Sequence, residues 1–138
     1  MSYVIAGDQF VNSEDVLKDI MNAFDFKEVK DITKASKRDD ALVYQIIQEA
    51  VALKEQMELE SIGETLTKEE VINELMATAD ENIVFIEDVI PESFISYGYS
   101  YCYDEDAEEI KSVFVAIDEA VGEKKLKDVV NRVLNSID

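Results

Sequence analysis

Apolar residues recur every three to four positions along most of the chain, and this spacing is typical of amphipathic helices. The longest such segment has apolar residues from Leu42 to Met57 that form a wide face, as in a helix at the middle of a bundle. Thr67 and Glu70 have the spacing of a capping box, which predicts a helix start. The predicted helices cover residues 13–24, 39–60, 67–79, 107–121 and 123–135, and residues 27–35 fit a short helix less clearly.

Two segments have the character of strands. Tyr3–Ala6 is short and apolar, and from Ser96 onward tyrosine alternates with a small residue. An alternation of period two predicts a strand with its tyrosines on one face, although the pairs four residues apart leave a helical interpretation open. We expect a hairpin that pairs residues 83–87 with residues 95–103. The four tyrosines on the common face are Tyr97, Tyr99, Tyr101 and Tyr103.

These elements predict a mainly α fold of the α+β type. The expectation is one acidic, mostly helical domain over residues 1–138, in which a bundle of about five helices carries a small β-hairpin around residues 83–103. A chain of 138 residues is long enough to bury a core without disulfides or metals. Its hydrophobic fraction of 47% is that of an ordinary globular protein, so the acidic composition does not indicate disorder.

Charge changes this picture more than any other feature. The chain has 32 acidic and 13 basic residues, a formal net charge of −19. Residues 61–110 hold 14 of the acids and one base, whereas residues 111–138 hold five of each. Charge of this size destabilises a fold by self-repulsion, so we expect it to have a use. It also opposes direct contact with nucleic acid or with an anionic membrane.

The surplus acids flank the tyrosine segment on both sides. Acidic fields attract basic proteins, and tyrosine is frequent at the centre of protein interfaces. The alternatives are that the tyrosines face the core and that the acids only keep the protein soluble. The predicted partner-binding residues are Glu81, Glu87, Asp88, Glu92, Tyr97, Tyr99, Tyr101, Tyr103, Asp104, Asp106, Glu108 and Glu109.

Residue types needed for common catalytic chemistry are missing. The chain has no histidine, and its four glycines are scattered, so it has neither a histidine-based triad nor a glycine-rich phosphate loop. The single cysteine, Cys102, has no histidine to activate it. Glu55 and Glu58 have half of the carboxylate pattern of a helical Mg²⁺ hydrolase. The matching half is not found on the next helix, and Glu28 and Asp31 have its spacing but lie on the wrong side of the pair. The sequence therefore predicts a protein that is not an enzyme and has no cofactor or metal.

The function that this predicts is an acidic inhibitor or immunity-type protein that occupies the basic, nucleic-acid-binding cleft of a partner protein. Phage-encoded mimics of nucleic acid and other host-defence inhibitors share this composition. The likeness is an analogy of composition and does not rest on a sequence motif. The alternative is a small helical assembly or chaperone-like adaptor that binds a partner through an apolar groove. We expect a cytoplasmic protein, since one cysteine fits a reducing compartment and no apolar run could span a membrane. The sequence leaves open whether the protein forms a homo-oligomer.

Overall fold

A computed structural model describes residues 3–61 and 67–137 (of residues 57–61, the backbone only). Within these ranges the chain forms six β-strands, four α-helices and three short 3-10 helices. The strands are β1 (Tyr3–Ala6), β2 (Gln9–Asn12), β3 (Glu28–Asp31), β4 (Ala41–Glu49), β5 (Phe94–Asp104) and β6 (Glu109–Asp118). The helices are α1 (Ser13–Ala23), α2 (Ala50–Ser61), α3 (Lys68–Val84) and α4 (Glu123–Ser136), and the 3-10 helices are Thr33–Ser36, Phe85–Val89 and Glu119–Val121.

A four-stranded antiparallel sheet in the order β3-β4-β6-β5 forms the centre of the structure, and β1 pairs with β2 in a separate hairpin. The two central strands are β4 and β6, paired from Ala41 with Ile117 to Glu49 with Glu109. Residues 41–44 and 112–117 are all buried. Strands of this kind are apolar on both faces because other elements cover the sheet on both sides.

The layers on the two faces differ in size. On one face Leu42, Tyr44 and Phe114 share a buried cluster with residues of the β1–β2 hairpin, α1 and α3. On the other face Val43 and Val115 share a cluster with the apolar side of α4. The Tyr44 hydroxyl donates a hydrogen bond of 2.7 Å to the carbonyl oxygen of Ser13, which joins the sheet to the start of α1. Burial raises the pKa of Tyr44 far above its usual value.

The prediction of a bundle of about five helices with a small β-hairpin is wrong, because the structure is an α+β fold built on a sheet. The predicted helix 39–60 is strand β4 followed by α2. Its apolar residues begin with four in a row, Ala41–Tyr44, and these lie on both faces of the strand. A continuous apolar run fits a doubly covered strand as well as a buried helix.

Two further elements differ from the prediction. Residues 107–121, expected as a helix, are occupied mainly by β6, and β6 rather than residues 83–87 is the partner of β5. Ile83 and Val84 end α3, and a 3-10 helix follows at once, so the expected hairpin of residues 83–87 with 95–103 does not form. Residues 27–35 contain strand β3 and the start of a 3-10 helix instead of a regular helix.

The helix starts that depend on local chemistry are confirmed. The Asn12 side chain caps α1 by accepting the N–H of Glu14 at 2.9 Å. Thr67 and Glu70 form the expected capping box at α3, with both reciprocal hydrogen bonds present. Gly122, at a φ of 93°, separates the preceding 3-10 helix from α4. These signals act within three or four residues and therefore depend little on the rest of the fold.

Asp118 ties the turn of the β1–β2 hairpin to the end of β6. Its carboxylate accepts a hydrogen bond from the N–H of Gly7 at 2.9 Å and another from the N–H of Ala120 at 3.0 Å. Both bonds lower the pKa of Asp118, and the bond from Gly7 has the larger effect. A lowered folded-state pKa contributes stability that is complete above the usual aspartate pKa of about 3.9 and is lost as the pH falls through the folded-state value. We expect Asp118→Asn to lower the Tm at neutral pH, by an amount that shrinks on acidification.

The measurement is the Tm difference between Asp118→Asn and the parent protein from about pH 7 to about pH 3. Asp128→Asn is the control, because Asp128 is an exposed carboxylate on α4 and is expected to show no such pH-dependent difference. A difference for Asp118→Asn that stays constant over this range would contradict the assigned hydrogen bonds.

Candidate functional site

Strand β5 carries the tyrosines at one edge of the sheet. Tyr97 and Tyr99 pair with Val115 and Val113 of β6 and lie on the face that α4 covers. Their side chains remain 41% and 43% exposed. These two predicted residues are therefore on the surface and available for contact.

A β-bulge separates the other two tyrosines from this pair. The register shifts between Ser100 and Cys102, and an extra residue in a strand reverses the face of everything that follows it. Tyr101 packs against the α4-side cluster, and its hydroxyl accepts a hydrogen bond of 2.7 Å from the Gln45 side-chain amide. Tyr103 packs against the cluster of α2 and α3 on the opposite face. The expectation that all four tyrosines share one face is wrong.

The middle of β5 is fixed to its neighbours by buried hydrogen bonds. The hydroxyls of Ser100 and Ser112 lie 2.7 Å apart in the sheet interior. The carboxylate of Asp80 on α3 accepts the backbone N–H of Ser100 at 2.6 Å. Helix α3 is therefore hydrogen-bonded to the outer edge of β5 at Ser100.

The first group of predicted acids surrounds the beginning of β5. Glu87, Asp88 and Glu92 are exposed, and with Glu123 of α4 they line an open cleft of about 560 Å³. Ser96 of β5 also lines this cleft. Glu81 is exposed one turn and a half earlier, on α3. This end of the strand therefore has a concentration of carboxylates.

The second group forms the turn between β5 and β6. Asp104 closes the turn by accepting the N–H of Ala107 at 3.1 Å, and Glu108 has a φ of 54°. Asp106 and Glu108 are exposed, and Glu109 forms an ion pair with Lys27 that raises the lysine pKa. These acids do not lie in the first turn of a helix, because β6 and not the predicted helix 107–121 follows the turn.

The two acidic groups do not come together. They lie at opposite ends of β5, and 11 residues of strand at about 3.3 Å per residue place them roughly 30 Å apart. The structure thus brings Tyr97 and Tyr99 into a line between two acidic regions rather than beside one. We call this line of residues, from the Glu87–Glu92 cleft along β5 to the 104–109 turn, the acidic strip.

A cleft that the sequence did not reveal lies between the α1–β3 connection, α2 and the end of α3. It has a volume of about 450 Å³ and is lined by Phe24, Phe26 and Phe85, the first two stacked at 5.4 Å. Its floor holds a chain of amides, in which Asn82 contacts both Gln48 and Gln56 at 2.9 Å. Phe24 and Phe26 lie close together at the predicted end of the first helix, but the residues that complete the cleft come from distant segments of the sequence.

Glu55 and Glu58, the half-motif of a helical hydrolase, both lie on α2. Within residues 3–61 and 67–137, no group of three or more acidic or cysteine residues is placed to hold a metal ion. Asp31, from the second half-motif, instead accepts hydrogen bonds from the Ser13 hydroxyl and the Thr33 N–H. The side chain of Glu58 lies outside the described residues.

A scan of the helices for membrane spans concerns the same two ranges. None of the helices that the structure describes combines the length and the apolar character needed to cross a bilayer. Comparison of the chain with protein-family models, with characterised proteins and with solved structures finds no match, so the acidic strip is interpreted from its own residues alone.

Proposed function

We propose that this protein binds a basic partner protein and occupies the positively charged surface with which that partner contacts nucleic acid. The observation that supports the proposal is the acidic strip, in which the exposed Tyr97 and Tyr99 lie on an edge strand with carboxylates at both ends. Tyrosine provides rigid contact area at little entropic cost. Carboxylates steer a basic partner into place.

Most of these carboxylates have no cation beside them. Of the 13 acidic residues between Glu69 and Glu109, only Glu105 and Glu109 form ion pairs within the described residues. The remaining charge repels itself in the free protein, and a basic surface would relieve that repulsion on binding. A distribution of this kind supports an inhibitor or immunity-type protein, of which phage-encoded nucleic-acid mimics are a physical analogue. The proposed action is non-enzymatic, needs no cofactor and is placed in the cytoplasm.

The test is capture of partners from extracts of the cells that produce the protein, at low salt, followed by elution in a salt gradient. We expect a basic nucleic-acid-binding protein to elute late. Its affinity should fall by about tenfold when salt is raised through the physiological range, because screening shortens the reach of the charges. Combined substitution of Glu87→Gln, Asp88→Asn and Glu92→Gln should weaken capture by a similar factor.

A matched control removes the same amount of charge elsewhere. Asp39→Asn, Glu55→Gln and Asp128→Asn replace exposed carboxylates outside the acidic strip, so this triple variant should bind nearly as well as the parent protein. If both triple variants lost affinity equally, net charge and not the strip would be responsible. Capture that did not depend on the salt concentration would contradict the proposal.

The second candidate is an adaptor that binds a partner through an apolar groove. It is favoured by the cleft between the α1–β3 connection, α2 and the end of α3, where Phe85 is 58% exposed and Phe24 and Phe26 also line the wall. In that case Phe85→Ser would abolish capture while the Glu87–Glu92 substitutions would leave it intact. The acidic-strip proposal expects the reverse pattern.

A further inference from the structure

The outer edge of β5 has unpaired backbone groups along its first half. In an antiparallel pair, residues alternate between those that exchange hydrogen bonds with the neighbouring strand and those whose N–H and C=O point away. The N–H of Glu119 donates to the carbonyl of Ser93 at 2.9 Å, so the 93–119 pair is a bonded one. By alternation, residues 95, 97 and 99 bond to β6, and residues 96, 98 and 100 point outward.

The hydrogen bond of Ser100 independently confirms which residues of β5 point outward. Its N–H donates outward, to Asp80, instead of to β6. Ser96 and Gly98 have the same orientation, and no described residue accepts their N–H groups. The open edge therefore consists of two donors and their carbonyls, bounded by Asp80 at one end and by the acidic cleft at Ser96 at the other.

Proteins usually protect such an edge, and the opposite edge of this sheet is protected. Strand β3 has only four residues and includes the exposed Lys30, and short strands and lysines hinder the addition of another strand. On β5 the bulge lies beyond Ser100, and residues 94–100 contain neither lysine nor proline. This half of β5 is thus open to an additional strand.

We propose that an extended, basic segment of the partner protein adds to the sheet along residues 96–100 of β5. Backbone hydrogen bonds to Ser96 and Gly98 would supply affinity, as in other cases where a peptide extends a sheet. Alternate side chains of the added strand point to the two faces. On the α3 side, the side chains of the added strand meet Asp80 and the carboxylates of the cleft, so these side chains are basic. On the other side they meet Tyr97 and Tyr99, so those side chains are apolar.

A second copy of this chain is the less suitable occupant. Two copies joined through β5 would place like acidic regions beside each other, and each chain has a net charge of −19. The inference deepens the proposed function and rests on it for the charge of the partner, whereas the open edge is a separate geometric observation.

The experiment uses the whole protein and an octapeptide of alternating lysine and valine at low salt, with calorimetry and with amide exchange measured by NMR. Binding should slow exchange at Ser96 and Gly98, while Ser100, already bonded to Asp80, changes little. Two otherwise identical peptides are N-methylated at alternate residues and keep their charge. In one of them the methyl groups replace the N–H donors that would face β5. This version should bind at least tenfold more weakly than the unmethylated peptide. Ser96→Pro should weaken binding similarly, and Ser96→Ala should not.

The outcomes separate the two proposals. Equal binding of the methylated and unmethylated peptides would overturn strand addition and leave an electrostatic mode of binding in place. Equal binding of an alternating glutamate–valine peptide, with the same amides protected, would instead overturn the basic-partner proposal. Absence of binding by the lysine–valine peptide would overturn strand addition, and so would a concentration-dependent dimer that protects Ser96 and Gly98 without peptide.

Discussion

Replacing Phe114 with alanine is expected to destabilise the protein by about 3–5 kcal/mol. Phe114 is 1% exposed at the centre of β6 and shares its buried cluster with Leu42, Tyr44 and Ile83. Removing the ring loses its transfer free energy and leaves a cavity between the sheet and α3, which neighbouring strands cannot close without breaking their pairing. Urea denaturation at equilibrium measures the change.

The matched control is Phe85→Ala, because Phe85 is 58% exposed. Its cost should be at most about 1 kcal/mol, since a mostly exposed ring loses little burial on truncation. If the two substitutions cost the same, the ring of Phe114 would not be in the core of the sheet. Domains of this size are stable by only about 5–15 kcal/mol, so Phe114→Ala also brings the protein close to unfolding.

The sequence predicted the elements whose signals are local. Asn12, the Thr67–Glu70 capping box and Gly122 each act on backbone groups within a few residues, and the helices that they mark begin where expected. Strand β5 was predicted for the same reason, since an alternation of period two is visible in the sequence itself.

The two central strands could not be recognised in this way. Residues 113–117 of β6 are five apolar residues in a row, because helices cover both faces of the sheet and erase the alternation. Val113, Phe114 and Ile117 of this run, together with Ile110 before it, also have helical spacing. The pairing of β4 with β6 joins residues at least 60 positions apart, and no local pattern encodes it. That error turned an α+β fold into a predicted helical bundle.

The candidate site shows the same limit. Tyr97 and Tyr99 lie on one face as the alternation predicts, but the bulge after Ser100 sends Tyr103 to the other face, and nothing in the sequence marks a bulge there. The expected hairpin of residues 83–87 with residues 95–103, which does not form, would have brought the two acidic groups close together. Once β5 pairs with β6, its 11 residues hold those groups apart, and the open edge between them becomes the feature to test.

Gly98→Ala is the second substitution for which we expect a large effect, a loss of about 1–3 kcal/mol. A Cβ atom at position 98 would lie 2.7 Å from Cδ1 and 2.9 Å from Cγ1 of Ile83, which is fully buried on α3. Replacing glycine by alanine also restricts the unfolded chain, which favours folding by about 0.4–1 kcal/mol. We expect the overlap to be the larger effect, because Ile83 is fully buried and can shift only by displacing the side chains packed around it. Denaturation curves measure the sum.

A double-mutant cycle with Ile83→Val isolates the overlap as the cause. Valine lacks the Cδ1 atom that makes the closest approach, so Gly98→Ala should cost at least about 0.5 kcal/mol less in the Ile83→Val background than in the parent protein. An equal cost in both backgrounds would mean that contact with Ile83 does not determine the need for glycine. Since this contact holds α3 against β5, the same cycle read by amide exchange at Ser96 shows whether the helix keeps the open edge in place.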